Sequence, residues 1–294
     1  MAPKVITTRD GSRSLFSTRY QQHYHNISGA LTESRNVFFD NTGLSRALAE
    51  HRNITLCEVG FGTGLHVVLL ECLRKRTGSR SQVHYYSVEK YPLEGSTVRQ
   101  MDFDRICQGI NKVVGQLADA LYAARDGDCV TMTLQNDPET VPLPESGHAS
   151  GRQQPCNAAG LLISGGKSQP DDAPFTRVEV FRGDFIDWDL SHINHPAHFI
   201  LHDAFSPDTN PDLWTVPTFK KLHLAADPGA MMGTYCSATK ARAAMVLAGW
   251  HVARVQGPPG KREVTVASPD EMALSGLKQV NEASLAERFR DELS

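Results

Sequence analysis

Along the chain, short apolar runs repeatedly end in glycine-bearing or acidic turns. Ile54-Thr-Leu-Cys-Glu-Val59 is rich in β-formers, stops at Gly60-Phe-Gly-Thr-Gly64, and gives way at once to an apolar stretch over residues 65–73. The pattern predicts strand, glycine loop and helix. Val83-His-Tyr-Tyr-Ser-Val88 repeats the strand signature, ends in Glu89 and precedes a helical pattern over residues 92–101. Together these predict a βαβ unit and hence a parallel sheet.

Further strands are predicted at residues 178–181, before Gly183-Asp184-Phe185, and at residues 198–202, before Asp203-Ala204-Phe205. A helix over residues 217–226 is followed by the turn Pro228-Gly229 into a buried strand near Tyr235, and a helix over residues 240–248 is closed by Gly249. Strands at residues 251–255 and 263–267, joined by Gly257-Pro-Pro-Gly-Lys-Arg262, complete the core. A polar helix over residues 284–293 follows. Between about residues 125 and 175 the chain collects Gly, Ser, Pro, Gln and Asn, which predicts a flexible insertion holding at most a short hairpin.

A chain of 294 residues, 40% hydrophobic and 21% charged, has the composition of a globular domain with additions. No apolar run is long enough to span a bilayer, so no membrane association is expected. Six scattered cysteines lack the close pairing of zinc sites or redox dithiols and are expected to be reduced thiols. Residues 1–20 lack an apolar signal region, which makes the cytoplasm the expected location; Arg9, Arg13 and Arg19 leave an organellar transit segment as the alternative. The formal net charge of −3 confines any nucleic-acid contact to a local patch.

Three glycines on alternate positions directly after a strand point to a cofactor, because a backbone without side chains lets a ligand approach the helix N-terminus closely. The dinucleotide fingerprint requires glycine where Leu65 stands, and the Lys-Ser/Thr of a phosphate loop is missing. Glu89 ends the next strand, where a carboxylate can accept hydrogen bonds from both hydroxyls of a ribose. His192, His195, His198 and His202 lie close in sequence, but their spacing completes no familiar metal set, and no metal is expected.

Glu58 followed by Gly60, Gly62 and Gly64 resembles the first motif of class I methyltransferases. That resemblance implies a doubly wound, mostly parallel seven-stranded α/β sheet of Rossmann-like type and S-adenosyl-L-methionine as cofactor. It also implies that Glu58 supports the loop and the cofactor's amino group, that Glu89 holds the ribose, that Asp184 accepts from the adenine amino group, and that Asp203 too lies against the cofactor.

Asp203, Phe205, Pro207, Asn210, Pro211 and Trp214 fit every fixed position of the loop Asp-x-Phe-x-Pro-x-x-Asn-Pro-x-x-Trp, which resembles MnmC-like methyltransferases. Tyr24-His-Asn-Ile-Ser-Gly-Ala-Leu-Thr-Glu-Ser-Arg-Asn-Val-Phe38 and Gly260-Lys-Arg-Glu263 look like the same family, so the likeness runs from about residue 20 to residue 267. It implies methylation of the aminomethyl group of wobble 5-aminomethyl-2-thiouridine in tRNA, without the flavin-dependent oxidase activity of bifunctional relatives. It also implies an N-terminal extension over residues 1–50, a catalytic domain over residues 51–268 and a tail helix over residues 269–294.

Asp203 can orient the amine and disperse its developing charge, or take its proton as a general base; orientation is the favoured role. Phe205 and Trp214 are candidates for stacking on a splayed-out base, with loop packing as the alternative. Asn210 belongs to the same substrate loop, and Lys261 and Arg262, like Lys220 and Lys221, are candidates for phosphate contacts or for solvated charge. The competing functions are methylation of a small-molecule amine or another RNA, and a non-catalytic cofactor-binding subunit. Protein partners are not legible in the sequence.

Overall fold

The computed structural model describes residues 4–135, 162–163, 173–193 and 195–293. In chain order the strands are β1 (Lys4–Thr7), β2 (Arg13–Ser17), β3 (Gln22–His23), β4 (Ile54–Val59), β5 (Gln82–Glu89), β6 (Cys129–Gln135), β7 (Leu162–Ile163), β8 (Phe175–Arg182), β9 (Ala197–His202), β10 (Ala226–Thr234), β11 (His251–Gln256), β12 (Glu263–Ser268) and β13 (Lys278–Gln279). The α-helices are α1 (Ala30–Ser34), α2 (Leu44–Ala49), α3 (Leu65–Thr77), α4 (Gly95–Arg99), α5 (Ile110–Ala123), α6 (Val216–Ala225), α7 (Thr239–Leu247) and α8 (Glu282–Leu293). The architecture is mixed α/β, as the glycine-loop pattern predicts. Contacts divide the chain into two compact units.

The first unit comprises Met1–Arg46, Leu56–Val59 and Ile193–Ser294. Its N-terminal part folds β1, β2 and β3 into a small antiparallel sheet. In its larger sheet β9 lies parallel to β4 and to β10, while β12 and β11 continue antiparallel beyond β10. Every residue of β4 is buried, the signature of a parallel strand covered on both faces. A register irregularity between Ala226 and Met231 absorbs the Pro228-Gly229 turn, so residues expected as a turn belong to β10. Helix α6 starts cleanly because the Thr215 hydroxyl accepts from the Thr218 amide and a proline lies in its first turn. Trp250, 1% exposed, donates from Nε1 to the Phe219 carbonyl and ties the segment after α7 to α6.

The second unit comprises Ala47–Thr55 and Gly60–His192. β5 and β8 pair in parallel over their full eight residues, and β6 adds antiparallel to the far edge of β8. β6 corrects the expectation of an insertion from residue 125. Cys129-Val-Thr-Met-Thr-Leu-Gln135 is a β-favouring run whose first four residues are buried. Most of the expected insertion, and the short hairpin expected within it, lie outside the described residues. The predicted helix over residues 92–101 shortens to α4, whose N-cap Glu94 is still in extended backbone. Helix α3 is buried almost all round and carries the ion pair Arg74 Nη1–Glu71 Oε1 at 3.1 Å, completed by bonds from Thr176 to Glu71 and from Arg74 to the Ser81 carbonyl. Buried charges need this degree of pairing.

Candidate functional site

The second unit holds the glycine loop. Gly60, Gly62 and Gly64 all adopt positive φ, at 93°, 55° and 77°, between the end of β4 and the start of α3. At Gly64 a Cβ would sit 2.6 Å from Val114 Cγ1 and 3.1 Å from the Phe61 ring, so both backbone angle and space demand glycine. The Phe61 amide donates to the Val88 carbonyl at 3.0 Å, which fastens the loop to the end of β5. Glu89, the last residue of β5, accepts from the Gly62 amide on Oε2 and from the Tyr91 amide on Oε1, each at 2.8 Å. Two backbone donors thus fix the carboxylate and leave lone pairs for further donors.

Asp184 lies in the turn after β8, where the Gly183 amide donates to the Glu89 carbonyl at 3.1 Å, so the two acidic turns are neighbours. Its Oδ2 is 2.5 Å from Lys90 Nζ, and its Oδ1 accepts from the Ile186 amide. The expected adenine acceptor is therefore ion-paired, with Lys90 as a neighbour the motif did not announce. A glycine loop at a helix N-terminus and a pre-oriented carboxylate fit the methionine and ribose parts of S-adenosyl-L-methionine.

The first unit holds the acceptor loop. Glu58, near the carboxyl end of β4 and opposite Leu201 in β9, is 1% exposed. Asp203 follows β9 directly; its amide donates to the Val59 carbonyl at 3.1 Å and its side chain stays partly open. Three bonds brace the loop behind it. Tyr235 Oη donates to the Ala204 carbonyl at 2.8 Å, Trp214 Nε1 donates to the Phe205 carbonyl at 2.7 Å, and His202 Nε2 meets the Leu213 carbonyl at 2.9 Å. A carbonyl only accepts, so the Nε2–H tautomer of His202 is the one present. Burial pulls the His202 pKa down from 6.5 to about 4, with the Leu213 bond opposing the shift, and the ring is neutral near pH 7. His202 is thus a core brace. Among the described residues no group of three or more His, Cys, Asp or Glu is arranged to hold a metal ion.

Trp214 requires a correction. It is 5% exposed, edge-on to His202 at 4.5 Å, and also packed against Phe219 and Tyr235. Its ring is committed to holding the loop on the sheet and offers no face to a base. Phe205 is partly exposed, with Tyr20 stacked on it at 4.3 Å and Tyr24 edge-on at 5.2 Å. Asn210 caps the short 3-10 turn Pro211–Trp214 without a side-chain bond, while its amide donates to the Ser206 carbonyl.

Lys261 Nζ lies 2.6 Å from Glu33 Oε1 and 4.5 Å from the centre of the Tyr235 ring, whereas Arg262 is exposed. Lys220 is exposed on α6 and Lys221 is partly buried. Sequence reasoning missed Tyr235 and Glu33. Burial raises the Tyr235 pKa, and the negative charges of Asp203 and Glu33 add to the shift, so the phenol stays protonated and donating.

A glycine loop between a buried parallel strand and a helix, with a carboxylate at the end of the next strand bonded to that loop, is the pattern of the S-adenosyl-L-methionine-dependent methyltransferases. The model of that family matches residues 167–270. Within that class the chain is similar to MnmC proteins. The tRNA 5-methylaminomethyl-2-thiouridine biosynthesis bifunctional protein MnmC of Burkholderia mallei strain SAVP1 is 27% identical over 268 residues, covering 90% of this chain and 35% of the relative. The same protein of Burkholderia pseudomallei strain K96243 is 28% identical over 268 residues, covering 90% of this chain and 36% of the relative. The chain therefore spans about a third of the length of these curated relatives. MNMC2 from Aquifex aeolicus has the same fold, with a TM-score of 0.64 at 20% identity over 98% of this chain and 76% of its own. Among the described residues no helix is long and apolar enough to cross a membrane.

Proposed function

We propose that the chain methylates the aminomethyl nitrogen of 5-aminomethyl-2-thiouridine at the wobble position of tRNA, in the cytoplasm, with residues 51–268 as the catalytic domain. The observation that carries this reading is Asp203, partly open at the end of β9 and held by a loop braced at Ala204, Phe205 and Leu213. The MnmC relatives, named for tRNA 5-methylaminomethyl-2-thiouridine biosynthesis, supply the substrate class.

When bound, S-adenosyl-L-methionine supplies a methyl group on a sulfonium, an electrophile that needs no further activation. Gly60, Gly62 and Gly64 would receive its methionine part together with Glu58, while Glu89 would accept from the ribose hydroxyls and Asp184 from the adenine amino group. The acceptor amine must present a free lone pair. Asp203 would accept a hydrogen bond from one of the amine's N–H groups, orient the lone pair and disperse the positive charge that grows on nitrogen as the N–C bond forms, while the C–S bond breaks and its electron pair returns to sulfur to leave a neutral thioether. The amine then loses a proton to water. Phe205, partly exposed beside Tyr20 and Tyr24, would meet the uracil ring, and Asn210 would lie beside it.

The decisive experiment is transfer of labelled methyl from S-adenosyl-L-methionine to tRNA from cells lacking the modification, with mass analysis of the nucleosides. Label on 5-methylaminomethyl-2-thiouridine supports the reading. Cofactor binding without any labelled tRNA rejects the substrate and leaves the methyltransferase fold standing.

A further inference from the structure

A cavity of about 640 Å³ opens beside the acceptor loop, walled by Ser206, Tyr235, Ser237, Arg254, Lys261 and Arg262. Three of its lining residues are cations and one, Glu263, is an anion, in a chain whose formal net charge is −3. Glu263 is largely spent on another partner: its carboxylate lies 2.8 Å from Arg242 and 3.9 Å from Arg254. Arg254 Nε is buried and has no hydrogen-bond partner among the described residues. The Arg254 side chain is nonetheless 33% exposed, so its guanidinium can face the cavity that it lines with Lys261 and Arg262. Ser237 and Ala238 of the wall lead into the N-terminus of α7.

Asp203 stands three residues before Ser206 of the cavity wall. Tyr235 lines the same cavity and feels the negative charge of Asp203. A ligand matched to this polarity carries an amine at one end and an anion at the other.

We propose that this cavity is a phosphate subsite for the acceptor nucleotide, in which Arg254, Lys261 and Arg262 hold a phosphodiester group while Asp203 receives the amine. This deepens the nucleic-acid reading and rests on it. The Lys261–Glu33 pair does not oppose it, because an ammonium has three donors and Glu33 uses one. Phosphate contacts of this kind fix the register of a nucleotide and leave its identity to the base pocket.

The test is fluorescence anisotropy with a labelled anticodon-arm RNA hairpin, titrated over a series of salt concentrations, for the wild-type protein, Arg262→Ala and Arg254→Ala/Arg262→Ala. Arg262 is exposed, so its single variant guards against misfolding. The double variant should bind the hairpin roughly tenfold more weakly, with a log–log salt slope shallower by about 1, and the single variant should fall between. The S-adenosyl-L-methionine Kd should stay at the wild-type value in both. Unchanged slopes, or a wild-type protein that binds no hairpin, overturn the subsite. Binding is measured without methyl transfer, so a wild-type protein that binds the hairpin with the expected variant losses but labels no tRNA would reject the substrate assignment and keep the subsite.

Discussion

Protonation of His202 should weaken the fold across a pH window set by its burial. The imidazole is fully buried, bonded through Nε2 to the Leu213 carbonyl and wedged between Trp214 and Phe219. In the unfolded chain it takes up a proton near pH 6.5, whereas in the folded state burial holds the pKa near 4. The unfolded state therefore binds more protons between these values, and the contribution is complete above pH 6.5 and lost as the pH falls toward 4. Integrating over that window gives a loss of about 2 kcal/mol between pH 7.5 and pH 5, out of about 3 kcal/mol in all. Asp10 does not confuse the measurement, because its carboxyl is held near 2 by bonds from Ser12, Thr32 and Thr8 that outweigh its burial, and its own contribution fades only below about pH 4. The assay is urea unfolding at both pH values for wild type and His202→Gln, whose amide can still donate to Leu213. Subtracting the variant's pH dependence from the wild type's should leave about 2 kcal/mol. Equal pH dependence in the two proteins would refute the burial argument and release His202 from its bracing role.

Four shorter predictions bear on the site. Asp203→Asn should lower methyl transfer about a hundredfold or more while leaving the S-adenosyl-L-methionine Kd intact, as read by initial rates and calorimetry; an unchanged rate removes Asp203 from the reaction. Glu89→Ala removes the acceptor for two backbone amides and should weaken cofactor binding by about 1–3 kcal/mol in the same calorimetric titration. Gly64→Ala forces a Cβ to within 2.6 Å of Val114 at positive φ and should cost about 1–3 kcal/mol in denaturant unfolding, together with cofactor affinity. Trp214→Phe keeps a ring in place but strands the Phe205 carbonyl, and should cost about 1–2 kcal/mol with a matching fall in turnover.

Legibility in the sequence followed burial. β4 and β9 are buried apolar runs ending in Gly60 and Asp203, so their positions and the turns after them could be read directly. β1, β2 and β3 are only two to five residues long, too short for a readable alternation, and cross-strand pairing defines them as strands. β6 was hidden because its local run is embedded in a segment of loop-like composition, and its partner β8 lies about 40 residues further on. The irregular β10 shows the same limit, since Pro228 and Gly229 signal a turn regardless of the sheet that accommodates them.

The site divides along a related line. Residues whose role depends on backbone position, such as the glycines and the strand-end carboxylates Glu89 and Asp203, are announced by their place after a strand. Residues whose role depends on which side chain they meet are not. Trp214 fits the family loop as well as Phe205 does, yet one ring is buried against His202 and the other is partly open, a difference set by Phe219 and Tyr235 from other elements. Lys261 reads as a free cation until Glu33, 228 residues earlier in the chain, is found 2.6 Å away. Arg254 reads as an ordinary residue of a strand, and only its place beside Lys261 and Arg262 in the cavity marks the cationic wall. Cofactor recognition, built on the chain's turns, is therefore written locally. Acceptor recognition, built on pairs of distant side chains, is written only in the fold, and it is on this part of the surface that variants of Arg254 and Arg262 will discriminate most sharply.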